Sequence, residues 1–419
     1  MREQEKLTIL KDLVAINTVA ANETSVADYL QDVFKRHGIE SQLVADDSQR
    51  ANIVAEIGDG EGPVLAFAGH IDTVHEGDLD TWSTDPFEVV TKDGRLYGRG
   101  TTDMKGGIAE FLIAMIELQE SGAPLHGTIR FIATVDEEKT EAGAKLLTER
   151  GHLDDVEAMV IAEPTGVALD DIDDYFHSGG AVIDSATLTE LNEKKRGSKA
   201  PEQHFIFHAH KGFLAYEVTA KGKAAHSSMP KLGINAIDHL ITYYLAEKQF
   251  YADLPEVSPV LDRTLYGPDV IQGGQQQNSV PDSATLTVLT RIIPELPPEE
   301  LIGRLKKLMA DVMATDPQMD LRLNVKAYDG AVVAPKDSEL IQLIQQTIPK
   351  YLDEPMAAPA IAVSLGTDAS QFIKANPNMQ LAVIGPGNAT AHKADEYVEE
   401  AAYFKMIDLF KDVATAYLK

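Results

Sequence analysis

The chain has 419 residues, 44% of them apolar and 25% charged, enough to bury a sizeable core without covalent staples. It contains no cysteine, which excludes a disulfide framework, a thiol nucleophile and any thiolate metal ligand. With 37 Lys and Arg against 66 Asp and Glu, the formal charge of −29 opposes binding to nucleic acid or to an anionic membrane surface.

The opening MREQEKLTILKDLVAINTVA mixes charge among its apolar residues, so no secretory leader is expected. No apolar run reaches the roughly 18 residues of a membrane span, and the expected location is cytoplasmic. Leu7, Leu10, Leu13 and Val14, then Val26, Leu30, Val33 and Phe34, recur at helical spacing and predict two short helices flanking a turn at 17–23. Apolar runs at 52–57, 64–67, 128–134 and 158–161 are short, rich in β-branched and aromatic residues, and bounded by Gly, Pro or charge, as buried strands are. Helical patterns at 107–120 and 142–150 fall between them. Alternating strand and helix predicts an α/β layer with a mixed, mostly parallel sheet and helices on both faces.

Residues 168–207 fit neither pattern. They carry an acidic start (Asp170, Asp171, Asp173, Asp174), a Gly pair and a basic patch (Lys194, Lys195, Arg196), and read as a surface excursion, with a lid as the alternative. Alternation at 213–220 and 283–291, each followed by a helical pattern (235–245 and 298–314), predicts a smaller α+β layer. Helix (338–351), apolar run (381–384) and helix (401–418) then return. The simplest arrangement is a catalytic domain from 1–209 and 330–419, with 168–207 as an extra insertion, interrupted by a lid domain over 210–329.

Five clusters of acid and imidazole stand out: GHIDTV at 69–74, YGRGTTDMKGG at 97–107, VDEE at 135–138, AEPT at 162–165 and GNATAHKADEYV at 387–398. Taken singly, each is an ordinary solvated or hydrogen-bonded feature. Four of them directly follow apolar runs, so parallel strands would bring them together at the carboxyl edge of one sheet, where ligands bind in such folds. Two imidazoles (His70, His392) with Asp103, Glu137, Glu138 and Glu163, and no sulfur, suit zinc, cobalt or manganese better than calcium or magnesium. The supply exceeds one tetrahedral ion and points to two ions with a bridging carboxylate. Of the adjacent Glu137 and Glu138, one can bind metal while the other moves a proton. Asp72, two residues after His70, is placed to accept the second ring N–H and fix the tautomer.

In their order and spacing, GHIDTV, GRGTTDMKGG, DEE, AEPT and AHKADEYV resemble the co-catalytic zinc family of acetylornithine deacetylases, succinyl-diaminopimelate desuccinylases, aminoacylases and carboxypeptidase G. The wording of RANIVAEIGDG, LYGRGTTDMKGG, AKGKAAHSSMP and VIGPGN is most similar to the desuccinylase branch in Gram-positive bacteria. The resemblance implies a zinc-exopeptidase-like fold and a lid domain that also forms a homodimer. It implies that His70 and Glu163 bind one ion, Glu138 and His392 the other, and Asp103 both, with a cis peptide after it. It further implies Glu137 as general base and Asp72 as orienter of His70. By the same resemblance His226 stabilises the oxyanion in the partner's site, and Asn278, Arg291, Gly366 and Thr367 grip a substrate carboxylate. The chain departs from the family by the roughly forty extra residues between AEPT and the HKG motif at 210–212. The expected reaction is amide hydrolysis of an N-acyl amino acid, N-succinyl-LL-2,6-diaminopimelate first. Alternatives are a dipeptidase, carboxypeptidase or acetylornithine-type deacylase with the same two metals, or a catalytically silent metal- or peptide-binding protein.

Overall fold

The computed structural model describes residues 1–419 except 20 and 47–49, and divides into two units. The first comprises Met1–His208, Ala334–Ala362 and Thr367–Lys419; the second comprises Ala209–Val333 and Val363–Gly366.

The first unit is built on strands β1 (Ser41–Ala45), β2 (Ala51–Gly58), β3 (Val64–His70), β4 (Thr128–Thr134), β5 (Val156–Ala168) and β6 (Glu202–His204), with a late strand, Gln380–Asn388, that returns beside β5. β4, β3, β5 and the late strand run parallel in that order, and β2 and β1 extend the sheet antiparallel. Every residue of β3 is buried, so its sequence is a continuous apolar run rather than an alternation. Helix α1 (Glu3–Ala15) and the C-terminal helix Glu400–Tyr417 pack on α3 (Lys105–Ser121), while α2 (Glu23–Arg36) packs on β2. Stacking of Phe67 on Phe111 at 4.5 Å, and Phe111 against Phe410 at 4.7 Å, joins sheet, α3 and C-terminal helix. Such pairs contribute about 0.5–1.5 kcal/mol each beyond their burial. Among the described residues, no helix is long and apolar enough to cross a membrane.

β5 and the late strand continue beyond the apolar runs that announce them, through Ala168 and Asn388. The reading of 168–207 as a surface excursion is corrected at its return. The segment leaves from the end of β5 and returns as β6, paired antiparallel with that same end, and Glu202, Gln203, His204 and Phe205 are all buried. Its middle holds two short helices, Ile172–His177 and Ser185–Lys194, with Phe176 against Phe205 at 5.4 Å. The return strand hides from a hydropathy reading because its buried side chains are polar, with Gln203 and His204 bonded to Glu354 rather than packed on apolar neighbours.

In the second unit, β7 (Gly212–Lys221), β8 (Leu265–Gly273), β9 (Ser283–Ile292) and β10 (Asp320–Asp329) form an antiparallel sheet in the order β8-β9-β7-β10. The two inner strands alternate buried and half-exposed residues, as their sequences predict. Edge strand β8 is not legible, since it carries Gly, Pro and mostly exposed residues, whereas β10 alternates Leu321, Leu323, Val325 and Ala327 with exposed polar residues and still lies outside the expected elements. Helices Ala236–Ala252 and Pro298–Met313 pack on this sheet. The buried Glu247 of the first accepts hydrogen bonds from Tyr216 (2.9 Å), Tyr243 (2.8 Å) and Tyr266 (2.7 Å), pinning helix to sheet.

Candidate active site

The four parallel strands deliver their chemistry at one edge. His70 is the last residue of β3, and the turn after β4 carries Glu137 and Glu138. Glu163 lies within β5, and His392 lies in the loop after the late strand. Asp103 comes from the loop before α3, followed by a cis peptide to Met104. That helix can start so close to β5 because residue 107 is glycine: a Cβ there would stand 2.4 Å from the Ala162 Cβ and 2.5 Å from its carbonyl oxygen.

Asp103 sits between the imidazoles. Its Oδ1 is 3.0 Å from His70 Nε2 and its Oδ2 3.1 Å from His392 Nε2. His70 Nε2 is also 3.6 Å from Glu163 and 3.9 Å from Glu137, and His392 Nε2 is 3.2 Å from Glu138. His70, Glu137 and Glu163 form one group able to hold an ion, and His70, Asp103 and Glu138 form another. His70 is buried, whereas the His392 side chain is 54% exposed and borders solvent. Asp72 reaches two neighbours. Its carboxylate accepts from the Glu137 and Glu138 backbone N–H groups at 3.2 Å each, and its backbone carbonyl, rather than its carboxylate at 3.5 Å, makes the shorter contact (3.0 Å) with His70 Nδ1.

The electrostatics fit a pair of cations. Burial pushes the Glu137 and Glu163 carboxyls well above the usual carboxylate range, and neighbouring carboxylates push further. Burial disfavours charge on His70, yet Glu163, Asp103, Asp72 and Glu137 outweigh it and raise the ring well above its ordinary value. Hydrogen bonds to Asp103 and Glu138 raise His392 to about 10. Glu138 Oε1 is buried with no hydrogen-bond partner among the described residues. Crowded hard oxygens, two imidazoles and an unmatched oxygen form the donor set of a dinuclear site.

Two residues outside the expected set hold it in shape. Glu396 is fully buried; its Oε1 accepts from the Gly100 (2.8 Å), Thr102 (2.9 Å) and Asp103 (3.1 Å) N–H groups, and its Oε2 pairs with Arg99. It thereby fastens the Asp103 loop to the His392 loop, and its place as the second acid of ADEYV, four residues after His392, was its only signal. Asp368, following Thr367, accepts from the Thr134 hydroxyl beside His70. Burial and Glu141 raise its carboxyl to about 8.

The remaining expected residues lie elsewhere in the fold. His226 is exposed, its Nδ1 2.7 Å from Ser228 Oγ, and Asn278 is exposed beside it, its backbone carbonyl accepting from Ser227 N at 3.0 Å. Arg291 lies on β9, with Gly366 close enough that a Cβ there would be 3.6 Å from its Nη1. Thr367 is buried, and its hydroxyl accepts from Ala369 N at 3.2 Å.

A mostly parallel α/β sheet with this constellation at its carboxyl edge defines an amidohydrolase-class enzyme. The chain belongs to peptidase family M20/M25/M40, whose model matches residues 66–416. It is 38% identical, across 100% of its own length and 98% of the relative, to a probable succinyl-diaminopimelate desuccinylase of Staphylococcus aureus. Its fold is similar to that of a tripeptidase from Staphylococcus aureus (TM-score 0.74, 20% identity, 99% of this chain and 98% of that one). It is also similar to that of an M20 family metallo-carboxypeptidase from Sulfolobus solfataricus (TM-score 0.75, 16% identity, 99% of each chain).

Proposed function

We propose that the protein hydrolyses the amide bond of N-acyl amino acids, with N-succinyl-LL-2,6-diaminopimelate as substrate and LL-2,6-diaminopimelate and succinate as products, in lysine and diaminopimelate synthesis in the cytoplasm. The observation that carries the chemistry is Asp103 set between His70 and His392, with Glu137, Glu138 and Glu163 around them. Full-length identity of 38% to a protein named for the succinyl substrate supports that choice among acyl amino acids.

His70 and Glu163 would hold one divalent cation and Glu138 and His392 the other, with Asp103 shared and zinc the expected metal, cobalt or manganese serving in its place. The pair supplies Lewis acidity to the scissile carbonyl and lowers the pKa of water from about 15.7 to about 7. Glu137 takes the proton of the attacking water and delivers it to the leaving nitrogen as the C–N bond breaks, so water's oxygen ends in the carboxylate product. Asp72 holds this base in place through two backbone N–H groups. Arg291, with Asn278 and the Gly366–Thr367 loop, grips the substrate carboxylate, a task suited to a guanidinium fork. His226 donates to the developing oxyanion in the site of a second copy of the chain, the lid domain of 210–329 forming the homodimer. Exposed Ile241 and Leu245 on one helix, with Val270 and Ile271 on edge strand β8, support an apolar surface for that association.

The test is turnover of N-succinyl-LL-2,6-diaminopimelate by zinc- or cobalt-loaded protein, beside acetylornithine and a panel of dipeptides and tripeptides. Preference for the succinyl substrate is expected. Turnover confined to peptides or another acyl amino acid overturns the substrate and keeps the chemistry, and zinc binding without hydrolysis of any of them overturns the enzyme.

A further inference from the structure

Segment 168–207 ends in a buried polar cluster that the proposed chemistry does not use. β6 pairs with the end of β5 from Gly166↔His204 to Ala168↔Glu202, a few residues beyond Glu163. Glu354 braces one side of His204: its Oε1 is 2.6 Å from His204 Nδ1, and its Oε2 accepts from His204 N (2.9 Å) and Gln203 Nε2 (3.0 Å). On the other side, Glu202 Oε1 stands 3.7 Å from His204 Nε2. Glu202 packs onto Gly166, where a Cβ would come within 3.0 Å of both Glu202 Oε2 and the Gly387 carbonyl oxygen, and Gly166 is the strand partner of Asn388, whose side chain favours the ionised Glu202. Asn388 is the knot of the loop that carries His392. Its Oδ1 accepts from Thr390 N (3.0 Å) and Thr390 Oγ1 (2.7 Å), and its Nδ2 donates to the Tyr397 carbonyl at 3.2 Å. Inside that knot His392 adopts a left-handed φ of 64°, a conformation that needs outside support.

Glu202, His204 and Asn388 are exposed by 4%, 1% and 3%. A buried ionic cluster gains little net stability over an apolar filling of the same volume, so its value lies in what it orients. We propose that Glu202, braced by His204 and Glu354, is a positioning residue that holds Asn388 and, through it, the loop presenting His392. The inserted segment thus sets the affinity of one of the two cation sites. This inference rests on the two-metal reading above.

Zinc titration of chelator-stripped, full-length protein by calorimetry, with metal counted by mass spectrometry, tests it. Wild type is expected to take up two ions. Glu202→Ala should weaken one of them by about 10–100-fold, as loss of an outer partner of a ligand does, and leave the other unchanged. Glu202→Gln, which keeps the size and polarity of the side chain against Gly166 and Asn388, should restore it, and Asn388→Ala should weaken the same ion without adding to Glu202→Ala in the double variant. Unchanged affinities, or equal losses at both ions, overturn the positioning role while leaving the metal reading intact. Fewer than two ions in wild type overturns the metal reading itself. Should Glu202→Ala fail to fold, Asn388→Ala carries the same comparison.

Discussion

Glu137 and Glu138 are sequence neighbours with different surroundings: Glu137 faces His70 at 3.9 Å, and Glu138 faces His392 at 3.2 Å. Glu137→Gln keeps the size of the side chain and removes the proton acceptor. Turnover should fall by about 10²–10⁴-fold, with metal content by mass spectrometry still near that of wild type; loss of an ion would make Glu137 a ligand instead. A second carboxyl is informative for stability. Glu110 on α3 is fully buried, with neither oxygen hydrogen-bonded among the described residues, and burial holds its pKa well above the ordinary 4.5. The folded chain therefore keeps a proton that the unfolded chain releases. Its contribution is fully present below about pH 4.5 and is lost as pH rises toward the folded value, by up to about 1.4 kcal/mol per pH unit. Glu110→Gln should flatten that slope in urea unfolding compared at pH 5.5 and 7.5, and parallel slopes for the two proteins would refute it.

At the scale of elements, the site depends on how closely α3 and two loops approach the sheet. Gly107→Ala drives a methyl group into Ala162, next to Glu163. Overpacking of this kind costs about 1–3 kcal/mol, read as a lower urea midpoint, whereas unchanged stability would mean that α3 slides freely on β5. Glu396 ties the Asp103 and His392 loops through three backbone N–H groups and Arg99. Glu396→Ala leaves Arg99 buried and unpaired, a loss of about 3–5 kcal/mol, and both ions should bind more weakly in calorimetric titration.

At the scale of the whole molecule, the proposed cations would be part of the stability. Ions that bind only the folded chain add about 2.7 kcal/mol each when free metal stands at 100 times Kd. Chelation should lower the melting temperature and zinc should restore it; a melting temperature indifferent to both would argue against an occupied dinuclear centre. The proposed sharing of His226 between two copies also makes a prediction for the assembly. His226→Ala and Glu137→Ala homodimers should each be impaired, and mixed dimers should regain activity, because one composite site then holds both wild-type groups. No recovery in dimers verified as mixed would confine His226 to its own chain.

The sequence by itself was enough for the strands that carry the candidate ligands. Buried parallel strands are uninterrupted apolar runs, so 64–67 and 128–134 announced β3 and β4, and the motif residues fell at their ends. It also announced the inner strands of the second sheet, where burial on one face writes alternation into the chain. Only the tertiary structure decided what depends on partners far apart in sequence. The return of 168–207 into the main sheet, the edge strand β8, and the tie from Glu396 to residues about 300 positions earlier left no periodic trace. The physical reason is the same in each case. A polar residue buried by pairing with another polar residue, or an edge strand exposed along most of its length, shows no local contrast between apolar and polar positions; its place is set by a partner that becomes a neighbour only when the chain folds.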